Sequence, residues 1–155
     1  MKAKRILQIE RAFILTLVFS VFSVALVAQP FITTWKTDNP GTSATNQITI
    51  PTTGTGYNYN IYWERVGSPA INGTLNNQTG STTITFPSAG TYRVEISGSF
   101  PAIYLFNLVS PTDAQKLLTI EQWGSNVWNS LARAFSGCTN LTVPATDAPV
   151  FRYWH

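Results

Sequence analysis

The sequence predicts a mainly-β fold, a β-sandwich or barrel, on three observations. Residues 29–155 carry 20 Thr and 11 Asn, residue types favoured in strands and in turns respectively. Several runs alternate apolar and polar residues with a period of two. Gly, Pro, Asn and Ser clusters separate those runs at short intervals. Charged residues make up only 11% of the chain, which excludes a charge-rich disordered segment or a coiled coil.

The chain opens with a basic stretch, Met1 to Arg11, followed by a charge-free apolar run from Ala12 to Ala28 and then Gln29-Pro30. This is the layout of a helical secretory signal peptide, assigned to 1–28. Its alternative is an uncleaved membrane anchor, the one route by which the chain would touch a membrane, although the run falls just short of a comfortable span of ~20 residues. Ser23-Val24-Ala25 offers a small-x-small cleavage site, and cleavage after Ala28 is the other choice. All of the net charge of +3 lies in this leader; the six Lys and Arg beyond it balance six Asp and Glu. The exported part therefore has no net field to attract phosphates, which argues against nucleic acid as a partner.

The strands follow in order. Ile48 and Ile50 alternate with Gln47 and Thr49. Tyr57, Tyr59, Ile61 and Trp63 occupy every second position and are expected on one buried face. Ile84 and Phe86 form another such run, as do Tyr92, Val94 and Ile96, with Arg93 and Glu95 turned to solvent. Pro87-Ser88-Ala89-Gly90 reads as a hairpin turn between the last two runs. Further breaks are expected at Asp38-Asn39-Pro40-Gly41, Thr53-Gly54-Thr55-Gly56, Gly67-Ser68-Pro69 and Asn72-Gly73.

Residues beyond 110 read differently. Leu118 and Ile120 are strand-like, whereas Trp128, Leu131, Ala132 and Phe135 have the spacing of one helical face. Ser125 or Asn126 would cap that helix, and Gly137 would end it. A strand and one short helix cannot bury their own apolar face, so the segment reads as one unit of a stacked array with no second copy after it. Its expected core is Leu118, Ile120, Trp128, Leu131, Phe135, Cys138 and Leu141. The domains are then 1–28, 29–110 and 111–155.

Several stretches carry a family resemblance. Phe31-Ile32-Thr33-Thr34-Trp35-Lys36-Thr37-Asp38-Asn39-Pro40-Gly41 and Ile48-Thr49-Ile50-Pro51-Thr52 resemble the opening of BspA-like leucine-rich-repeat bacterial surface proteins. Ala89-Gly90-Thr91-Tyr92-Arg93-Val94-Glu95-Ile96-Ser97-Gly98 is similar to the closing strand of their PKD-like module, and Ala134-Phe135-Ser136-Gly137-Cys138-Thr139-Asn140-Leu141 to the A-F-x-G-C-x-N-L core of a first repeat. Leu118 to Gly124 resembles the hinge between the two. The resemblance implies an immunoglobulin/PKD-like β-sandwich, a short helix-containing repeat or cap unit, and a secreted or cell-surface bacterial protein that binds or adheres without catalysis. Glu64-Arg65-Val66-Gly67 stands where the module has a W-G-D-G turn, so no cation site carries over. Thr83 to Phe86 stands where a His often precedes the closing Tyr.

Chemistry gains little from the residues themselves. His155 is the only His and lies at the chain end, where no third group can orient it for a triad. One His and one Cys do not make a zinc site, and no phosphate or dinucleotide loop is present, so no cofactor is expected. Glu64 beside Arg65 and Glu95 near Arg93 read as surface ion pairs rather than a glycosidase carboxylate pair. Cys138 reads as a small core residue. The five tryptophans could form a sugar-stacking platform, but Trp63 and Trp128 read as core and Trp123 beside Gly124 as a joint between sandwich and repeat; Trp123 and Trp154 stand as candidate contacts for a ligand such as a sugar ring. The expected role is thus a binding or adhesion module with a protein or glycan partner; the alternatives are a carbohydrate-binding module and a truncated piece of a longer repeat protein without independent function.

Overall fold

The computed structural model describes residues 28–106 and 112–152. The leader, apart from Ala28, and Trp154 lie outside the described residues. Among the described residues nine strands follow in order: β1 (Phe31–Lys36), β2 (Gln47–Ile50), β3 (Asn58–Arg65), β4 (Ser68–Gln78), β5 (Thr82–Thr85), β6 (Thr91–Ser99), β7 (Leu117–Gln122), β8 (Val127–Trp128) and β9 (Val150–Phe151). The fold is mainly β, as expected. The helical content among the described residues is one 3-10 turn, Ala114–Lys116.

A five-stranded antiparallel sheet has the order β4-β3-β6-β1-β7, and β2 pairs with β5 in a second, two-stranded sheet. The period-two runs do what they predict: Tyr59, Ile61 and Trp63 of β3 and Tyr92, Val94 and Ile96 of β6 are buried on one face, with Asn58 and Asn60 exposed opposite. Ile48, Ile50, Ile84 and Phe86 bury the facing side of the small sheet. The two sheets share one core. Phe86 stacks on Tyr92 at 4.0 Å and meets Trp63 edge-on at 5.0 Å, and the Tyr59 hydroxyl bonds the Thr82 hydroxyl at 2.9 Å.

Four expectations are corrected. Pro87-Ser88-Ala89-Gly90 is not a hairpin turn, because β5 pairs with β2 while β6 pairs with β1 and β3. The turn instead carries the chain between sheets, so that Phe86 and Tyr92 meet across the core rather than side by side. The Tyr92 hydroxyl donates to the Ser88 carbonyl at 2.8 Å and fixes that crossing. Asn72-Gly73 is not a break; it lies inside β4, opposite Trp63. The glycine serves packing there, since a Cβ would stand 2.6 Å from the Trp63 indole.

The third correction is the helix. Residues 132–137 form successive turns, closed by three-residue bonds such as Ala134 N to Leu131 O and, beyond them, Cys138 N to Phe135 O. Trp128 is drawn into β8, and Arg133 takes a left-handed φ of 58° that a helix does not accept. Ala134, not Ala132, is the buried alanine.

The five-stranded sheet continues past residue 110, since β7 pairs along β1. From β7 onward the chain coils. Thr119 pairs in parallel with Thr142, Val127 with Val150, and Trp128 with Phe151, each 23 residues apart. A second coil therefore starts at Leu141, contrary to the expectation of a single unit. Its signal is in the sequence: Leu118-Thr119-Ile120 and Val127-Trp128 return as Leu141-Thr142-Val143 and Val150-Phe151. One polar position in three residues is too short a pattern to stand out until the ladder aligns it.

Candidate functional site

The joint between sheet and coil is built on Trp123-Gly124-Ser125. Gly124 has φ 69°, and a Cβ on it would lie 2.4 Å from the carbonyl oxygens of both Gln29 and Pro30, so only glycine fits. The Ser125 amide donates to the Gln29 carbonyl at 2.9 Å, and the Gln122 side-chain amide donates to the Pro30 carbonyl at 2.8 Å. From the other side the Asp147 carboxylate accepts the amides of Trp123 (3.0 Å) and Gly124 (2.8 Å). Burial alone would raise the Asp147 pKa; the amides of Trp123, Gly124 and Asp147 itself outweigh it and hold the carboxyl below its ordinary value. Beside this joint is a groove of about 530 Å³ lined by Gln29, Glu121, Gln122, Ser125, Asp147 and Val150.

Trp123, the expected ligand contact, packs inward: its ring lies 5.8 Å from Phe31 and 5.9 Å from Trp128 and is 9% exposed. Of the expected repeat core, Ile120 and Trp128 are buried, and Leu131, Phe135, Cys138 and Leu141 pack partly buried against the main core. Leu118 is half-buried, where the β1–β7 register shifts.

Of the two surface ion pairs expected from the sequence, Arg93 with Glu95 forms and Glu64 with Arg65 does not. Arg65 turns away from Glu64 and donates to the Ser88 hydroxyl at 2.7 Å, because neighbours in a strand face opposite ways. Arg93 instead gathers Glu64 (3.6 Å), Glu121 (3.4 Å) and Glu95 on the outer face of the large sheet. Those carboxylates are shared by one guanidinium. Among the described residues no cluster of three or more His, Cys, Asp or Glu has metal-holding geometry.

A second polar cluster was not foreseen. Asp113 and Lys116 are 1% exposed each. The Lys116 ammonium donates to the carbonyls of Ser43, Ala44 and Gln47, each at 2.9 Å, and stands 3.8 Å from Asp113 Oδ1. Asp113 accepts the amides of Ser43 (3.0 Å) and Thr49 (2.7 Å). Burial pushes the Lys116 pKa down, against the pull of Asp113 and Asp38. The cluster ties the loop before β2 to the segment before β7. A Lys three residues after an Asp was its only sequence signal, and that spacing is common on solvated surfaces.

Burial pushes the Cys138 thiol from 9.0 up to about 11. The folded chain therefore holds this proton more tightly than the unfolded one, and stability falls as pH rises from 9 to 11. Urea midpoints measured across that range are expected to fall more steeply in the wild type than in Cys138→Ala; equal slopes would show the thiol to be solvated.

No family model, curated protein or solved structure matches the chain.

Proposed function

We propose that the chain is an exported bacterial surface protein of the BspA-like repeat type, with a PKD-like sandwich and a rudimentary repeat unit, that binds or adheres without catalysis. The leader supports export, and the resemblance supports the surface role. The observation that carries the binding role is β4. It forms one edge of the five-stranded sheet, and over its eleven residues it has no charged side chain. The opposite edge, β7, is covered by the returning chain at Thr142. An uncharged, exposed edge strand is a template for a partner's extended segment: backbone hydrogen bonds give affinity and side chains select. Edges that avoid such pairing carry charges, prolines or bulges; β4 has Pro69 and two register shifts near its ends, which leaves the stretch from Asn72 to Leu75 between them uncharged and regularly paired.

Ile71, 36% exposed, and Asn76 are the side chains to test. The purified chain is expected to be retained on beads coated with serum protein, and Ile71→Lys/Asn76→Lys to lose retention about tenfold or more with an unchanged melting temperature, since an edge lysine must be desolvated on pairing. Undiminished retention of the variant would remove the edge from the mechanism. Retention on chitin or cellulose that is unaffected by the edge variant, with none on protein, would transfer the function to a glycan partner.

A further inference from the structure

Among the described residues, the first backbone group that the joint holds is the Gln29 carbonyl. It accepts from the Ser125 amide at 2.9 Å and from the Ser125 hydroxyl at 3.2 Å, and it stands against Gly124. The rest of Gln29 is unclaimed. Neither its backbone nitrogen nor its side-chain amide has a hydrogen-bond partner among the described residues, and the residue is exposed, as is Ala28. Two grooves flank this point: the one of about 530 Å³ beside the joint, and a second of about 330 Å³ lined by Ser97, Ser99 and Asn126. Ala28 and Gln29 line both. The chain thus enters the joint along a ridge with open space on either side, and residue 29 is fixed by its carbonyl alone.

Export changes the chemistry of Gln29. Cleavage after Ala28 makes it the first residue, whereas cleavage after Ala25 would leave Leu26, Val27 and Ala28 ahead of it. The hold of the joint begins at Gln29, so the bond after Ala28 releases the fold from residues it does not use. A terminal glutamine carries nucleophile and electrophile in one residue, an α-amine and a side-chain amide carbon placed to close a five-membered ring. An α-amine has an ordinary pKa of about 7.7–8.0, so a share of it is unprotonated and nucleophilic near neutrality.

We infer that the exported chain begins with pyroglutamate at position 29, an inference that rests on the export reading above. The Gln29 amine attacks its own side-chain Cδ. The new N–Cδ bond closes the lactam, the bond from Cδ to the side-chain nitrogen breaks, and that nitrogen leaves as ammonia with a proton from the amine. No oxidant, reductant or co-reactant enters. The two reacting groups are the ones the fold leaves free, while the carbonyl that holds Ser125 is untouched, so the ring closes without releasing the joint. The lactam also removes a positive charge that would lack a free counter-ion: of the carboxylates lining the larger groove, Asp147 is taken by the Trp123 and Gly124 amides and Glu121 by Arg93. An end without an amine is closed to aminopeptidases, and loss of residue 29 would take the acceptor of the Ser125 amide with it.

The test is the intact mass of the full chain, expressed in an exporting bacterial host, incubated in neutral buffer and read before any digestion, together with stepwise N-terminal sequencing. The wild type is expected at the mass of residues 29–155 less one ammonia and to give no sequence, because a lactam has no free amine. Gln29→Asn is the control. Its side chain is one methylene shorter and would have to close a strained four-membered ring, so it is expected at the linear mass and to be sequenced normally. A wild-type chain with a linear Gln29 end overturns the inference, and so does an end at Leu26, which leaves export standing. A Gln29→Asn chain that is also blocked overturns the lactam in favour of another modification of the amine. A chain that keeps its whole leader overturns the export reading together with the inference.

Discussion

Replacing Lys116 with methionine lowers the unfolding free energy by about 3 kcal/mol, the lower end of what breaking a buried ion pair costs. Methionine fills nearly the same volume, so the loss is polar. The carbonyls of Ser43, Ala44 and Gln47 lose their shared donor. Asp113 loses its only nearby cation among the described residues but keeps the Ser43 and Thr49 amides, which is why the lower end applies. Lys116→Arg does not restore the site, since a planar guanidinium cannot place its donors toward three carbonyls gathered around a compact ammonium. Urea unfolding followed by tryptophan fluorescence measures the effect. In a double-mutant cycle with Asp113→Asn, the second change is expected to cost less in the methionine background than in the wild type. A loss under about 1 kcal/mol would mean that water solvates the ammonium and that the loop is held by other contacts.

What the sequence made legible was local. Alternating aromatics announced β3 and β6 because a half-buried strand must place every second residue in the core. The same alternation carries no information about which strand lies beside which. Hence Pro87 to Gly90 has the composition of a hairpin turn, although the chain changes sheets there. Asn72-Gly73 has the composition of a turn, yet its glycine answers to the Trp63 ring across the strand pair. The helical spacing of Trp128, Leu131 and Phe135 was real as a set of inward-facing residues. It was met by turns instead of a helix, because ladder bonds to β9 claimed Trp128 first.

The candidate sites were less legible, for one reason: each depends on contacts across a large sequence separation. Asp113 meets Ser43 across 70 residues, and Gln122 meets Pro30 across 92. Trp123 is a candidate ligand contact only as one of the tryptophans that no core run claims, while its place beside Gly124 reads as a joint between sandwich and repeat. Gly124 is required by the carbonyls of Gln29 and Pro30, and that close approach leaves the indole packed in the joint.

The joint's central ring makes the second large prediction. Trp128→Ala is expected to cost about 3–5 kcal/mol, the range for truncating a large buried aromatic. Its indole meets Phe31 edge-on at 5.0 Å, Trp123 at 5.9 Å and Phe100 at 6.0 Å, so one side chain closes the contact between β1, the end of β6 and the first coil. Its Nε1 is buried without a hydrogen-bond acceptor among the described residues. The rings around it are perpendicular, an arrangement in which an N–H can point at a π face for a fraction of a hydrogen bond's worth. Trp128→Phe discards that poorly satisfied donor and keeps a ring in the cluster, so it is expected to cost under about half as much as alanine. Thermal and urea unfolding of both variants measure the difference. Equal losses for Phe and Ala would mean that the indole's full length, not a ring at the centre, holds the joint. An alanine variant as stable as the wild type would mean that the coil is an appendage whose packing contributes nothing to the sheet. The ladder gives that outcome little room: β9 rests on Trp128 through both the backbone pair with Phe151 and the Arg152 amide, so loosening the ring releases the second coil together with the first.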